Sequence, residues 1–493
     1  MLDGRVPGSF RDPSGFVFLH GGRVLRAVDE GCFQSLEKLH SDGTLARLSQ
    51  THGLVATQIV EQEADGAALE SVYSDTYRYL EHERITPITY PYEWTLSMLA
   101  DAAICTLDLQ LELANSGYSL KDATPFNVQF VAGKPKFIDV ASIELPGRRD
   151  IWFALGQFFQ LFLYPLLLCR YRGWDLSSLF LARPNGRSIE EVAHAFGWMG
   201  LLRPILLMDL SVPLLFQWLS RGNSSKRRNL LTKPAGNAAP QVLNLRRLRR
   251  KTARIAAGYR PRSGWAAYTD HRNYTHAGED AKMALIEGFL RETSPATVVD
   301  VGCNTGEYSF VAAETGAKVV AIDSDHDAVE VLYRRLRDKP MDITPMVGDI
   351  SNPSPGIGYM NTERSPLLQR IQGDCVLCLA LLHHLLITAN LSLAAVRDML
   401  AVLTTRDVVL EFVPTDDEMF RTLLGLRVDL FGELTLARCR SVFTEQFTVL
   451  KEVRLPQSKR SLLFLRLTSA AWQPLATNPN EQSRPTGNDD SAG

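Results

Sequence analysis

The chain has 493 residues, which at roughly 100 to 200 residues per domain excludes a single small module and gives about three domains, or two larger ones with a linker. Hydrophobic residues make up 45% and charged residues 22%, so sizeable cores can form and neither a collagen-like nor a wholly disordered chain is expected. Lys and Arg number 53 and Asp and Glu 55, a formal net charge of -2 that announces no global electrostatic partner.

At the start, Asp3, Arg5 and Pro7 stand where a secretory signal would need an apolar stretch. The 7 cysteines are scattered and odd in number, which disfavours a disulfide framework and points to a reducing, cytoplasmic setting. Gly21-Gly22 suits a hairpin turn, and a helix is expected over about 96–116. Trp152 to Cys169 has no charged residue and approaches bilayer-spanning length. Gln157, Gln160 and Pro165 interrupt it, as Arg203 and Asp209 interrupt 197–219, so both stretches read as buried helices without a transmembrane span.

From 222 to 262 many Lys and Arg occur without one acidic residue, which predicts a basic linker, flexible up to Pro240. Within it, Leu243 to Ala257 reads either as a solvated connector or as a basic amphipathic helix that sits on nucleic acid or anionic lipid. The expected organisation is therefore an α+β domain over 1–221, the linker over 222–262, an α/β domain over 263–470 and a disordered tail over 471–493. Trp265 to Tyr274, with four aromatic or imidazole side chains, reads as a lid or as surface packing.

Beyond the linker, short apolar runs at Thr297 to Val301, Lys318 to Ile322, Cys375 to Leu379 and Asp407 to Phe412 read as interior parallel strands. Asp327 to Arg337 and Leu391 to Leu403 carry helical periodicity between them. Phe447 to Leu455 and Arg460 to Leu467 flank Pro456, Gln457 and Ser458 as a closing antiparallel hairpin.

The strongest chemical signal is VVDVGCNTGEYS, a strand ending in Asp300 followed by Gly302 and Gly306. A turn of this kind lets a ligand approach the backbone at the carboxyl edge of the sheet. The next strand ends in Asp323, where a carboxylate accepts hydrogen bonds from ribose hydroxyls or caps a helix. A dinucleotide site would show Gly-x-Gly-x-x-Gly, whereas here only Gly302 and Gly306 are present and Asp300 comes before them, and a carboxylate at that place suits a cofactor with a cationic amino acid end better than one with phosphates. After the fourth strand, His383 and His384 are candidate proton acceptors for an alcohol substrate, or a loop cap and a packed side chain. Glu411 and the run Asp416, Asp417, Glu418 are further candidates for substrate contact, with a solvated loop as the alternative for the run. Cys375 and Cys378 have the spacing of a metal or redox pair, but they face opposite sides of a strand and no second pair follows; no metal site is expected.

Asp300-x-Gly302-x-x-x-Gly306, Asp323, Gly348-Asp349 and the terminal hairpin resemble the class I S-adenosylmethionine-dependent methyltransferases, over about 265–468. The resemblance implies a Rossmann-like fold, S-adenosylmethionine as cofactor, Gly302 and Gly306 along its methionine and ribose part, Asp323 on the ribose diol and Asp349 on the adenine amino group. Upstream, Asp122, Asn127 and Asp139 in LKDATPFNVQFVAGKPKFID are similar in spacing to the core of kinase-like phosphotransferases. That pattern departs from the usual one: no glycine-rich loop or Val-Ala-x-Lys strand is present, and Asp139 is followed by Val140-Ala141. A kinase-like shape without the positioning groups of phosphoryl transfer is the expectation. Together the two parts resemble the rhizobial nodulation host-specificity proteins of the NoeA type, which implies methyl transfer to an unidentified small-molecule or glycan acceptor, such as a carbohydrate or lipo-oligosaccharide. The alternatives are a phosphotransferase with a regulatory methyltransferase-like domain, and a nucleic-acid methyltransferase docked through the arginine-rich linker.

Overall fold

The computed structural model describes residues 4–60, 77–219, 237–264, 276–425 and 433–468. The chain divides into two compact units, Met1–Asn273 with Gly302–Arg370, and Tyr274–Val301 with Ile371–Gly493.

The first unit opens with an antiparallel sheet of order β1-β2-β3-β5-β4, made of β1 (Gly4–Arg5), β2 (Gly15–His20), β3 (Arg23–Val28), β4 (Thr57–Ile59) and β5 (Arg78–His82). Gly21 and Gly22 close the β2–β3 hairpin with φ of 56° and 79°, dihedrals that suit residues without a Cβ. Phe16, Phe18, Leu25, Ala27 and Tyr79 cover one face, and strand alternation sends Val28 and Leu80 into the main core. Helix Leu96–Asn115 is capped by Thr95, whose Oγ1 accepts from Met98 N at 3.3 Å. It is apolar around most of its circumference and therefore buried as the central helix of this unit.

The strands β6 (Ser119–Leu120), β7 (Val128–Val131), β8 (Lys134–Phe137) and β9 (Ile143–Glu144) carry the Asp122 to Asp139 stretch, with β7 and β8 forming a hairpin. The uncharged run from Trp152 becomes helical core, with Phe158, Phe162 and Leu166 to Leu168 fully buried. No helix among the described residues is long and apolar enough to cross a membrane.

The basic stretch differs from a solvated connector. Ala239–Ala257 is a helix that lies along the central helix, with Leu245, Leu248 and Ile255 buried. Arg247 and Lys251 both hold the buried carboxylate of Asp209, Lys251 at 2.7 Å, and Arg249 pairs with Asp108. Apolar residues at helical spacing thus place this segment in the core despite its charge. The remainder of the expected linker at 222–236, the candidate lid at 265–274 and the tail at 471–493 lie outside the described residues.

The chain leaves the first unit for β10 (Thr297–Val301) and returns after it. There β11 (Lys318–Asp323) and β12 (Ile343–Val347) pair in parallel, Val319 opposite Ile343. Helix His326–Asp338 follows β11 and is built into the core of the amino-terminal half. Its fully buried Glu330 accepts from Ser97 N at 3.1 Å and from Ser97 Oγ, and pairs with Arg334 at 2.7 Å. Tyr333 donates to Asp101 at 2.7 Å and meets the Phe130 ring edge-on. His326 Nε2 accepts from Leu96 N at 3.0 Å. Arg370 pairs with Glu93, both nearly fully buried, and stacks over Tyr90. The compact-unit boundary therefore does not follow the change in composition near residue 263.

In the second unit, β10, β13 (Gly373–Cys378), β14 (Thr404–Phe412), β15 (Phe447–Arg454) and β16 (Ser461–Leu467) run in the order β10-β13-β14-β16-β15. The first three are parallel and short, with buried Val, Leu and Cys, as expected for interior strands. The closing hairpin is present, and β16 inserts antiparallel between β14 and β15. In chain order β11 follows β10, yet β10 pairs with β13. Strand succession therefore reverses at the carboxyl end of β10, the kind of place where open α/β sheets bind ligands. The result is a Rossmann-like arrangement with a mixed sheet.

Arg370→Ala would strand the Glu93 carboxylate in the core and is expected to lower the unfolding free energy by about 3–5 kcal/mol in urea denaturation. Arg249→Ala breaks a largely solvated pair and is expected to cost under about 1 kcal/mol. Equal effects of the two would contradict this ranking.

Candidate cofactor and acceptor site

Immediately after β10 the chain makes a tight turn in which Gly302, Asn304 and Gly306 all take left-handed backbone, with φ of 73°, 50° and 87°. Glycine and asparagine tolerate this region best, which is why the turn has this composition. Gly302 N and Cys303 N both donate to the carbonyl of Ile322, at 2.8 and 3.0 Å. Asn304 N donates to Asp323 Oδ2 at 2.8 Å, and Asp325 N donates to Asp323 Oδ1 at 2.8 Å. The cap of the following helix is Asp325, whose carboxylate accepts from Ala328 N at 2.8 Å. Asp323 is thereby left to hold the turn, and burial pushes its carboxyl above the usual range despite the two backbone N–H groups.

Gly306 starts helix Glu307–Glu314, and a Cβ there would collide with the Leu332 side chain, so its absence is required for packing as well as for dihedral reasons. Gly348 N donates to the Asp323 carbonyl at 2.9 Å, which sets the loop carrying Asp349 beside the turn. The Asp349 carboxylate is exposed and accepts from Ser351 N at 2.8 Å and Ser351 Oγ at 2.6 Å. Gly302, Gly306, Asp323 and Asp349 are thus brought together within the first unit.

Asn304 was not among the residues expected at this site. Its Oδ1 is buried and meets no donor among the described residues. An orphaned acceptor beside a buried carboxylate, on a turn with bare glycine backbone, fits the ammonium and diol of an adenosyl amino acid. The sequence signal was an asparagine between two glycines after a strand.

In the second unit Asp300 is a buried residue of β10, opposite Leu377 of β13. His383 and His384 sit on helix Leu382–Ile387 with ring centroids 4.4 Å apart. His383 is buried against Phe420, its Nδ1 lacks a partner among the described residues, and burial lowers its pKa to about 3. His384 is less buried, and its pKa is lowered by burial and by the nearby positive charge of Arg460. Glu411 is fully buried between Lys282 at 2.5 Å and Arg460 at 3.4 Å, and accepts from Ala380 N at 2.9 Å. Asp417 caps helix Glu418–Leu424 and pairs with Arg460 at 2.8 Å, while Asp416 pairs with Lys459. Lys282 was not legible from sequence, because nothing in its own helix announces the partner across the fold. Cys375 and Cys378 are buried free thiols whose pKa burial pushes up.

In the amino-terminal half Asn127 Nδ2 donates to Asp139 Oδ2 at 3.1 Å, and Arg26 of β3 holds Asp139 Oδ1 at 2.9 Å. Asp122 accepts from Gln157 at 3.4 Å, and its carboxyl is pushed up by burial and by Asp139. The three residues singled out by spacing are therefore neighbours, and Arg26 was the member the sequence did not reveal.

Residues 298–405 match the methyltransferase domain family Methyltransf_25. The chain is 32% identical over 466 residues to the nodulation protein NoeA of Rhizobium meliloti strain 1021, covering 93% of this chain and 95% of that one. It is 42% identical over 53 residues to the cypemycin N-terminal methyltransferase of a Streptomyces species, 11% of this chain and 21% of the other. Among solved structures, the magnesium protoporphyrin IX methyltransferase ChlM of Synechocystis PCC 6803 overlaps 39% of this chain and 84% of its own, at 19% identity and a TM-score of 0.29. The bifunctional kinase-methyltransferase WbdD overlaps 39% and 40%, at 16% identity and a TM-score of 0.28. The protein is an S-adenosylmethionine-dependent methyltransferase, and the chain belongs to the family of the nodulation protein NoeA.

Proposed function

We propose that Gly302, Asn304, Gly306, Asp323 and Asp349 hold S-adenosylmethionine, and that the methyl acceptor is a hydroxyl of a carbohydrate or lipo-oligosaccharide. The observation that carries the donor reading is the Asp323 carboxylate, fixed at the turn by the N–H groups of Asn304 and Asp325 and retaining acceptor capacity for a ribose hydroxyl. Asn304 Oδ1 supplies an acceptor for the ammonium end, and Asp349 for the adenine amino group. When bound, the cofactor supplies a methyl group already activated on a sulfonium. The protein's remaining work is alignment and acceptance of the hydroxyl proton. His384 is the better base of the pair, because the low pKa of His383 leaves it a weak proton acceptor. The carbohydrate reading rests on the NoeA kinship and its nodulation name.

For the amino-terminal half we propose a kinase-like arrangement without phosphotransferase activity. The Asn127–Asp139 hydrogen bond supports the first part, and Arg26 seated on Asp139 supports the second by setting a protein cation where a magnesium nucleotide would need the carboxylate. Nucleic acid is the less favoured partner, since Arg247, Arg249 and Lys251 of the basic helix are paired with Asp209 and Asp108, and its remaining arginines at 246, 250 and 254 lie on the flank that carries the exposed Leu243.

In equilibrium dialysis with labelled donor, Asp323→Ala and Asn304→Ala are each expected to weaken binding by about tenfold or more, as for loss of a charge-assisted or buried hydrogen bond. His384→Ala should leave donor affinity unchanged while lowering turnover of a labelled glycan acceptor by about a hundredfold. Donor affinity indifferent to Asp323 would overturn the assignment.

The pH dependence of stability follows from His383. Its folded pKa of about 3 lies below its ordinary 6.5, so the unfolded chain binds the proton more readily between those values. The stabilisation is present above the ordinary value and declines as pH falls toward the folded one, by about 1.4 kcal/mol per pH unit. His383→Gln is expected to flatten that acid-side loss in urea denaturation, and an unchanged slope would contradict the burial argument.

A further inference from the structure

Nearly half of the exposed large apolar side chains among the described residues fall between 198 and 215. Trp198 is 76% exposed, Met199 and Leu202 68% each, Met208 63%, Leu215 53% and Val212 37%. Helix Ile189–Leu201 breaks at Gly197, with φ of 68°, and Trp198, Met199 and Leu202 share the face that follows. Ser211 Oγ donates to the Leu201 carbonyl at 2.6 Å, which ties this face to the segment carrying Met208, Val212 and Leu215. A cluster of this size is unusual on a protein that faces only water.

A second observation fixes the chemistry of what covers it. Asp209, inside the same segment, is held by Arg247 and Lys251 of the basic helix, and Lys251 also donates to the Ile205 carbonyl. On the flank of that helix next to Arg247 and Lys251, Arg246, Arg250 and Arg254 recur every four residues, all exposed and without an acidic partner among the described residues. Leu243, 65% exposed, extends the same flank. Tryptophan, methionine and leucine beside a row of unpaired arginines match the boundary of a bilayer with acidic headgroups, where indole sits at headgroup depth and arginine meets phosphate.

We propose that this surface docks the protein on an anionic lipid bilayer, with Trp198, Met199 and Leu202 entering the interface and Arg246, Arg250 and Arg254 on the headgroups. A nucleic acid would engage the arginines and leave the aliphatic residues without a partner. A second copy of the chain would bring the same row of positive charge against itself.

Co-sedimentation of the full chain with phosphatidylcholine vesicles, with and without phosphatidylglycerol, tests the proposal. Binding is expected only with phosphatidylglycerol, weakened by salt, and reduced at least about tenfold by Arg246→Glu with Arg250→Glu and likewise by Trp198→Ser with Leu202→Ser. Circular dichroism melts of both variants should match the parent, since these side chains face solvent. Four outcomes would overturn the proposal: no vesicle binding; binding indifferent to phosphatidylglycerol; RNA retention that the arginine changes abolish while the apolar changes do not; or a dimer in sedimentation that the apolar changes dissolve.

Discussion

A single carboxylate organises the glycine turn after β10. Asp323 ends its strand inside the protein, where an ionised group is costly, and it is held there by the amides of Asn304 and Asp325. Those two contacts fix the turn after β10 in a conformation that includes three consecutive alternate positions in left-handed backbone. Glycine takes this region freely, so the conformational cost falls on Asn304, whose amide is held by Asp323. Because the holding groups are parts of the protein, the fold itself sets the turn, and if the turn is the donor site proposed above, little ordering is left for the binding step.

The strand and helix that carry Asp323 are in turn anchored by the amino-terminal half. Glu330, Tyr333 and His326, on the helix after β11, find their partners at Ser97, Asp101 and the Leu96 amide, all in or at the start of the central helix. Glu330 is fully buried, so its hydrogen bonds to Ser97 and its pairing with Arg334 are needed to offset desolvation. The amino-terminal half therefore serves as a structural support for the turn after β10. Its own polar cluster around Asp139 is closed by Arg26, which holds one carboxylate oxygen while Asn127 donates to the other.

Local patterns made much of this readable. The parallel strands, the closing hairpin at Pro456 to Ser458, the Gly21-Gly22 turn and the glycine turn after Asp300 all follow from period, composition and backbone permissiveness over a few residues. What could not be read depends on distant partners. The row of charge in 239–257 pointed to solvent, but Leu245, Leu248 and Ile255 met the central helix and Asp209 absorbed two of the cations. His383 and His384 are identical in type and adjacent in sequence, and only burial against Phe420 separates a packed imidazole from a more accessible one. Arg26, Lys282 and Asn304 gained meaning from groups that the fold, and not the sequence neighbourhood, brings to them.

Hydrogen exchange of the full chain, with and without S-adenosylhomocysteine, reports most directly on whether the turn after β10 is the donor site. The account predicts added protection confined to peptides covering 302–306, 323–325 and 348–351. Protection elsewhere with these peptides unchanged, or no protection at saturating ligand, would contradict it.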